Sequence, residues 1–590
     1  MSLDGMVTRA IVNELENTLK DGRIDKIYQY QRNEILIQVY NRGKNHKLIL
    51  SANPSNPRAH LTDHTISNPS TPPMFCMLLR KHLMRGSILD IKQHATDRII
   101  FIDISSMNEL GQISEKRLII EIMGRHSNII LIDKESGNII DSIKRITHDT
   151  SRVRQVLPGI RYEYPATDGK LNPLSLSRSE FYSLIDRDRG DMRVYRFLYS
   201  NYLGLGPLIS KEICFLANIG YDQSVRSLKP EKVESLFTAF VSVIDVIKSK
   251  DFKPVLIEDY HSDSYQAFYA IDIEQFEDHK RIYPDSISRT LDLYYSRIIK
   301  SSRISQRTQT MKKEVNTILN RALNKLSKQK HELLESKDRE KYKIYADLIS
   351  ANIHRIDGGM GEIELENFYS ENMESIRVPL DKKLSPPLNA QNYYKKYSRL
   401  KNAHSLLIKQ IPDTKGEIEY LENVLISIDN CTEPIELDEI QEELTKEGYL
   451  KKKGRKVRRK RVESRPHHYI SSDGIDIYVG KNNRQNDYLT LRFARRDDLW
   501  LHAQNMPGSH VIIRHDDGQI PGTTLEEAAI LAAYYSKGRH SANVPIDFTE
   551  RKHVRKPRNA KAGMVIYNNF NTITITPDRK RVYNMKRVDD

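Results

Sequence analysis

Two charged stretches with narrow apolar seams, at about 285–356 and 389–428, set the tightest limits on what this chain can fold into. In the first, Met311, Val315, Ile318, Ala322, Leu326 and Leu333 recur at spacings of three, four or seven, while Lys312, Lys313, Arg321, Lys325 and Lys328 take the other faces. A stripe that narrow predicts a long helix with room for little more than one partner along it. In the second, Leu400, Ala403, Leu407 and Ile411, then Ile418, Leu421, Leu425 and Ile428, repeat the spacing, so the two seams can bury each other. Between them lie Gly358-Gly359 and LSPPLNAQ (384–391), where Pro386 and Pro387 forbid a continuous helix and Asn389 can cap the second arm. A chain reversal is predicted there, giving a long antiparallel coiled-coil hairpin. Forty helical residues rise about 60 Å, more than a domain is usually wide, so a projecting hairpin is favoured over a compact helical bundle.

The remainder of the 590 residues is enough for roughly four domains at about 150 residues each. Lys and Arg outnumber Asp and Glu by 93 to 78, a net charge of +15, which points first to a polyanionic partner. Charged residues at 29% and a mean hydropathy of -0.59 fit extended, well-solvated surface. Three distant cysteines, Cys76, Cys214 and Cys431, make neither a disulfide framework nor a zinc site and suit a reducing compartment. The opening MSLDGMVTRAIVNELENTL has no apolar run, and no stretch approaches the roughly 18 apolar residues of a membrane span, so a cytoplasmic protein without membrane contact is expected.

Residues 1–170 read as one mixed α+β domain. Asp4 can cap a first helix bearing Val7, Ile11 and Leu15, and strands follow at IDKIYQY, EILIQVY and KLILSA. A helix at about 73–85, opened by Pro72 and Pro73, precedes five more strand candidates: ILDIKQ, IIFIDI, RLIIEI, NIILID and IIDSI. Two places break the apolar pattern. Thr96-Asp97-Arg98 sits at a strand junction, and EIMGRHSN (121–128) leaves Glu121, Arg125, His126 and Asn128 near a turn at Gly124. Such residues are either solvated turn groups or readers of nucleotides, because a carboxylate accepts from base amino groups while Arg stacks on bases or grips phosphates. From 171 to 282 the pattern turns helical, and Gly204-Leu205-Gly206 followed by Pro207 has the form of a helix-hairpin-helix. There the glycines either bring backbone N–H groups to a phosphate or simply make a tight turn. Strand-like runs at 252–275 are placed to pair back onto the first domain.

The hairpin occupies 283–440 and a last domain 441–590. An acidic stretch (433–447) leads into KKKGRKVRRKR, whose Lys451, Lys452, Lys453, Arg455, Arg458, Arg459 and Lys460 suit rRNA phosphates or a solvated linker. Beyond it, Trp500 is flanked by Asp497, Asp498, His502 and His510; a core Trp with hydrogen-bonded histidines around it is expected rather than a metal site. A helix through Tyr535, capped at Thr523 or Thr524, and the basic run RKHVRKPRNAK (551–561) complete a small α+β module whose basic face suits RNA.

Taken together, LDGMVTRAIVNEL, the TDR at 96–98, EIMGRHSN, GLGP, LSPPLNAQNYYKKY and NDYLTLRFARRDDLWLHAQNMPGSHVII resemble the NFACT family, in particular its bacterial RqcH-type ribosome quality-control factors, also known as fibronectin-binding protein A homologues. The resemblance covers essentially the whole chain. It implies an NFACT-N domain, a helix-hairpin-helix segment, the coiled coil and an NFACT-R RNA-binding domain. It also implies a factor that binds the large ribosomal subunit, through rRNA and stalk-base proteins, while peptidyl-tRNA is still attached. That factor recruits alanine-accepting tRNA, with a small RNA-binding helper protein as a further candidate partner, and supports alanine tailing that marks stalled chains for degradation. By the same resemblance Asp97, Arg98, Glu121, Ile122, Met123 and, beside them, Arg125 are the tRNA-binding residues.

No catalytic centre, cofactor or metal is expected: the chain has no G-x-x-x-x-G-K-[ST] and no convincing nucleophile constellation, and the ribosomal peptidyl-transferase centre would supply the chemistry. Two rivals remain. Formamidopyrimidine-DNA glycosylases share the NFACT-N and hairpin arrangement but use an N-terminal proline amine and usually a four-cysteine zinc finger, whereas Ser2-Leu3-Asp4 and three cysteines stand here. A fibronectin-binding surface adhesin would call for a leader and a wall anchor, neither of which is visible.

Overall fold

Asp4 opens the first helix, α1 (Gly5–Leu19), by accepting from the N–H groups of Met6 and Val7 at 3.0 and 3.1 Å, two of the donors a helix start leaves open. Met6, Val7, Ile11 and Leu15 are buried along it. The computed structural model describes residues 3–64, 71–107, 111–149, 151, 153–166, 169–187, 190–259, 265–451, 463–515, 519–558 and 560–588. They form two units, Met1–Lys300 and Ser301–Asp590.

In the first unit α1 is followed by β1 (Arg23–Gln31), β2 (Glu34–Asn41), β3 (Lys44–Ser51), β4 (Arg58–Leu61), α2 (Met74–Leu83), β5 (Ser87–Gln93), β6 (Ile99–Met107), β7 (Ile113–Glu121), β8 (Asn128–Asp133) and β9 (Ile139–Ser142). The strands make one antiparallel sheet in the order β4-β3-β2-β1-β5-β6-β7-β8-β9, with Arg23 of β1 opposite Ser87 of β5. One sheet face packs on α1 and α2 through Ile24, Ile37, Leu50, Ile91, Ile102, Leu118 and Leu131. The other carries a smaller cluster, Ile99, Phe101, Ile119, Ile130 and Ile132, closed by Val156, Ile160 and Tyr162.

The alternation along β6 and β7 serves both faces at once, as a strand buried on two sides requires. Helices α3 (Arg178–Arg187), α4 (Val194–Asn201), α5 (Pro207–Leu216) and α6 (Pro230–Ser249) share the main core. Strands β10 (Val255–Glu258), β11 (Tyr265–Tyr269) and β12 (Arg281–Ile282) follow. They do not complete the large sheet as expected: β10 has β11 on one edge and β12 on the other, although Val255, Leu256 and Phe268 reach the same core.

Helix α7 (Ile287–Lys337) begins in the first unit, and its remainder belongs to the second. Against the expectation of one helix to 356, Asp338 leaves the helical conformation and separates α7 from α8 (Arg339–Ala351). A two-stranded ribbon, β13 (Glu362–Glu366) and β14 (Ser375–Pro379), leads to α9 (Pro386–Asn430). Pro386 and Pro387 begin α9 behind Ser385 at the cap position, where a missing N–H costs nothing. Asn389 is therefore not the cap; its side chain accepts from the Asp381 N–H at 2.8 Å and donates to the Asp381 and Leu384 carbonyls, tying down the preceding turn.

The two long helices meet in reverse order. Met311, Val315, Leu319 and Ala322 share a buried cluster with Leu421, Val424 and Ile428, and further along Gln329 donates to Gln410 and Ser336 meets His404 at 2.9 Å. Those polar pairs fall where Leu326, Leu333, Leu400 and Ala403 are only half buried, a cost in stability that fixes register. The acidic stretch is a helix, α10 (Pro434–Lys446): Glu433 and Glu436 form a capping box, and Leu437, Ile440 and Leu444 join the α7–α9 cluster. The narrow seam thus does take a third helix at this end.

The rest of the second unit comprises β15 (His467–Ile470), β16 (Asp476–Val479), α11 (Asn483–Tyr488), β17 (Leu499–Ala503), β18 (Val511–Arg514), α12 (Gly522–Tyr534), β19 (Val544–Glu550), β20 (Val554–Arg555), β21 (Ile566–Tyr567), β22 (Asn571–Ile575), α13 (Arg579–Asn584) and β23 (Lys586–Arg587). Seven of the strands form the sheet β22-β19-β17-β18-β16-β15-β23, with α12 packed on one face. On the other, Trp500 is fully buried with Leu489 and Ile512, and His510 bonds Thr490 at 2.7 Å. Thr523 and Thr524 do not cap α12; Pro521 holds that place and both hydroxyls donate to Asp473.

This sheet is fastened to the end of α9 and to α10. The Gly508 N–H donates to Asn423 Oδ1 at 2.8 Å, Asn483 donates to Glu443, and Asn482 and Ser464 donate to Glu439. Burial raises the Glu443 carboxyl above its ordinary range. Among the described residues no helix is long and apolar enough to cross a membrane.

Candidate nucleic-acid interface

The turn between β5 and β6 closes when the His94 N–H donates to the Ile99 carbonyl at 3.0 Å and the Asp97 N–H to the His94 carbonyl at 2.9 Å. Ala95 takes a left-handed φ of 47° to make it. Asp97 is 7% exposed, and its Oδ1 accepts from the Arg98 N–H at 2.7 Å, so the carboxylate holds its own turn. Arg98 is half buried, and among the described residues its guanidinium has no ion-pair partner.

Strand pairing brings the second stretch alongside. Ile99 lies opposite Glu121, and the Ile122 N–H donates to the Arg98 carbonyl at 2.9 Å. Gly124, at φ 58°, turns the chain through a short 3-10 segment, with the Met123 N–H held by Ser127 Oγ. Arg125 and His126 are exposed there, Arg125 Nε donating to His126 Nε2 at 2.9 Å.

Two expected contact residues do not reach the surface. Ile122 is fully buried, and Glu121 is 1% exposed, accepting from Arg154 at 2.6 and 3.1 Å and from the Tyr162 hydroxyl at 2.8 Å. A carboxylate taken from water needs such a partner, and the partner comes from the segment that covers the outer sheet face. Met123 is partly buried against the same cluster. Arg98 and Arg125 are thus the accessible cations of the six residues.

Two further segments, far from this turn in the sequence, converge on it. The Gly5 N–H donates to the Gly204 carbonyl at 2.8 Å, Thr96 Oγ1 to the Leu203 carbonyl at 3.1 Å, and Gln93 Nε2 to the carbonyls of Gly5 and Asp97 at 2.7 and 2.8 Å. The approach is too close for a side chain: a Cβ on Gly5 would lie 1.9 Å from the Thr96 carbonyl oxygen, and one on Gly204 2.0 Å from it. Asp4 closes the assembly, its Oδ2 accepting from the Gly206 N–H at 3.1 Å and the Tyr269 hydroxyl at 2.8 Å. Burial pushes its carboxyl up to about 6. The Gly206 N–H is therefore used inside the protein, not presented to a phosphate.

In the second unit, Lys451 is exposed, whereas Lys452, Lys453, Arg455, Arg458, Arg459 and Lys460 lie outside the described residues. The run at 551–561 is less available than its charge suggests. Arg551 donates to the Thr490 and Leu491 carbonyls, Lys556 pairs with Asp487, and Lys561 sits over the rings of Tyr420 and Tyr449. Arg555 and Arg558 stay exposed.

Comparison with known proteins fits both units. A family profile described as the NFACT N-terminal and middle domains matches residues 4–463, and one described as the NFACT protein RNA binding domain matches residues 465–569. The chain is 36% identical over 594 aligned residues to a protein of Bacillus subtilis (strain 168) named Rqc2 homolog RqcH, covering 100% of both. It is 24% identical to human ribosome quality control complex subunit NEMF over 59% of this chain and 32% of that one. Among solved structures, the fibrinogen binding protein from Staphylococcus aureus is 34% identical over 50% of this chain and 98% of that one, with a TM-score of 0.42.

Proposed function

The chain belongs to the NFACT family, and on that premise we propose that it works in ribosome quality control by holding tRNA on an obstructed large ribosomal subunit. The ribosome quality-control role follows from the RqcH and NEMF relatives, and an RNA-binding domain occupies its C-terminal part. The finer reading is our own. The layout is 1–170 NFACT-N, 171–282 helix-hairpin-helix, 283–440 an antiparallel coiled-coil hairpin and 441–590 the basic linker with NFACT-R. The hairpin docks on rRNA and stalk-base proteins, and the basic linker follows rRNA phosphates. Arg98 and Arg125 meet an alanine-accepting tRNA, while Asp97, Glu121, Ile122 and Met123 brace the shelf on which they stand. Peptidyl-tRNA stays on the subunit, a small RNA-binding helper protein assists, and alanine is added by the ribosomal peptidyl-transferase centre in the cytoplasm.

The observation that supports this best is the convergence at the β5–β6 turn. Arg98 and Arg125, accessible and on adjoining turns, stand on backbone pinned by Asp97, Gln93 and the paired glycines. Cations held this way attract phosphates or stack on bases without a second ordering cost for the turn itself. The test is tagged protein from stressed cells, with the copurifying RNA sequenced. Alanine-accepting tRNA and large-subunit rRNA are expected with the parent; Asp97→Ala with Arg98→Ala should lose the tRNA and keep the rRNA. Equal tRNA recovery from parent and double variant would refute the role given to the turn.

A further inference from the structure

The turn that carries Asp97 and Arg98 also carries His94, and His94 is the underside of an aromatic shelf. Its imidazole is stacked on the ring of Tyr164, centroids 4.3 Å apart and planes 13° off parallel. Two more rings meet Tyr164 at steep angles: Tyr162 at 5.4 Å and 81°, and Phe101 at 6.2 Å and 65°. Phe101 is itself 8% exposed in the outer-face cluster and covered by the Arg117 guanidinium at 4.8 Å, while Tyr162 is held by Glu121. Every one of these ring neighbours of Tyr164 is therefore anchored in the fold.

Tyr164 nonetheless remains 50% exposed. One ring face lies on His94, and Phe101 and Tyr162 stand at steep angles to the ring, so its plane is set from three sides while half of the side chain stays open. What sets this half-exposed ring apart is that its plane is fixed by anchored neighbours, so a planar ligand can stack on it without the cost of ordering the side chain. Its position is informative as well. His94 accepts the N–H of Asp97 through its carbonyl, so shelf and turn are one rigid piece of backbone, and Arg98 stands four residues along it. The exposed charged residue that precedes Tyr164 is Glu163, an acid, which suits a base in contact with the ring better than a phosphate.

We propose that Tyr164 is a stacking platform for one unpaired nucleobase of the RNA held at the Asp97–Arg98 turn, with His94 continuing the stack beneath it. The inference rests on the tRNA reading given above and adds to it a base contact made through a π-face. Stacking of this kind tolerates sequence because every base has such a face, and it is worth roughly 5- to 150-fold in affinity per base when the aromatic is truncated. Tyr164 would contribute grip and geometry, leaving identity to be read elsewhere on the tRNA.

The test uses the full-length protein and a fluorescent transcript of an alanine-accepting tRNA, with binding followed by anisotropy. A set of the same transcript with single abasic positions in its unpaired loops is measured alongside. Tyr164→Ala is expected to bind the intact transcript at least 5-fold more weakly and Tyr164→Phe to bind as the parent does, with unchanged melting temperatures for both. One abasic transcript should weaken the parent by the same factor and leave Tyr164→Ala no weaker than on the intact RNA, since the pair of changes removes a single stack. A parent that binds tRNA and a Tyr164→Ala variant that binds it equally well overturns the platform alone. A Tyr164→Ala defect that adds to every abasic defect overturns it too. A parent that binds no tRNA overturns the function proposed above and this inference with it.

Discussion

Gly204→Ala puts the convergence of three segments on one turn to a quantitative trial. The backbone at 204 is left-handed, φ 80°, and the added methyl would stand 2.0 Å from the Thr96 carbonyl oxygen, where ordinary contact begins near 3.4 Å. Thr96 or the glycine must therefore retreat by about 1.4 Å, which is an overpacking cost of about 1–3 kcal/mol. That movement breaks the bond from Thr96 Oγ1 to Leu203 and strains the one from Gly5 to Gly204, about 1 kcal/mol each. The left-handed conformation adds about 1 kcal/mol for any Cβ. On the order of 5 kcal/mol results, or a fall in Tm of about 10–15 °C for a unit of this size.

Gly43 supplies the control. Its φ is also 80°, but an added Cβ meets nothing within 4 Å, so Gly43→Ala isolates the backbone part, about 1 kcal/mol, and should lower Tm by only about 2–3 °C. Differential scanning calorimetry of the parent and both variants decides it. Equal drops for Gly204→Ala and Gly43→Ala would show that the Thr96 contact yields without cost, and the reasoning from close approach would be wrong.

Glu121→Gln leaves Arg154 buried and uncompensated, so a loss of about 3–5 kcal/mol is expected in urea unfolding; a loss below about 1 kcal/mol would mean that Arg154 finds water or another acceptor. Asp4, raised to about 6 by burial, is an acid with a folded pKa above its unfolded one. Its contribution is fully present below pH ~4 and is lost as pH rises through about 6, a change of about 3 kcal/mol; Asp4→Asn should flatten stability against pH across that interval, and parallel curves would remove the assignment. Replacing Lys451, Lys452, Lys453, Arg458 and Arg459 with Gln should lower the slope of log affinity against log salt by about 0.7–0.9 for each phosphate these side chains neutralise in the parent. An identical slope in filter-binding titrations would make the segment a solvated linker.

Much of this architecture is legible in the sequence because periodicity is local. The α7 and α9 seams, the strands of the large sheet and the fully buried Trp500 follow from spacing and composition that a window of about twenty residues contains. What escapes such a window is decided by distant residues. Glu121 reads as an exposed acid at a turn until Arg154 and Tyr162, some thirty to forty positions on, arrive to cover it. Gly206 reads as a phosphate-binding glycine until Asp4, 202 residues earlier, takes its N–H. Asn389 is a plausible cap by type, but Ser385 stands ahead of two prolines whose missing N–H groups fix where the helix starts. The acidic stretch before the basic run hides helix α10, because its Leu437, Ile440 and Leu444 stripe is short and set among seven acids.

The fastening of the RNA-binding sheet to the end of α9 makes a lever. Asn423, Glu439 and Glu443 clamp the sheet at one end of a single helix of 45 residues, about 67 Å from end to end. A rotation of about 5° at the clamp sweeps the far end through about 6 Å, close to one helical turn. Conversely, whatever grips the far end fixes the sheet's orientation to within a few degrees for each few ångströms of play, so a contact made far from the RNA-binding surface aims it.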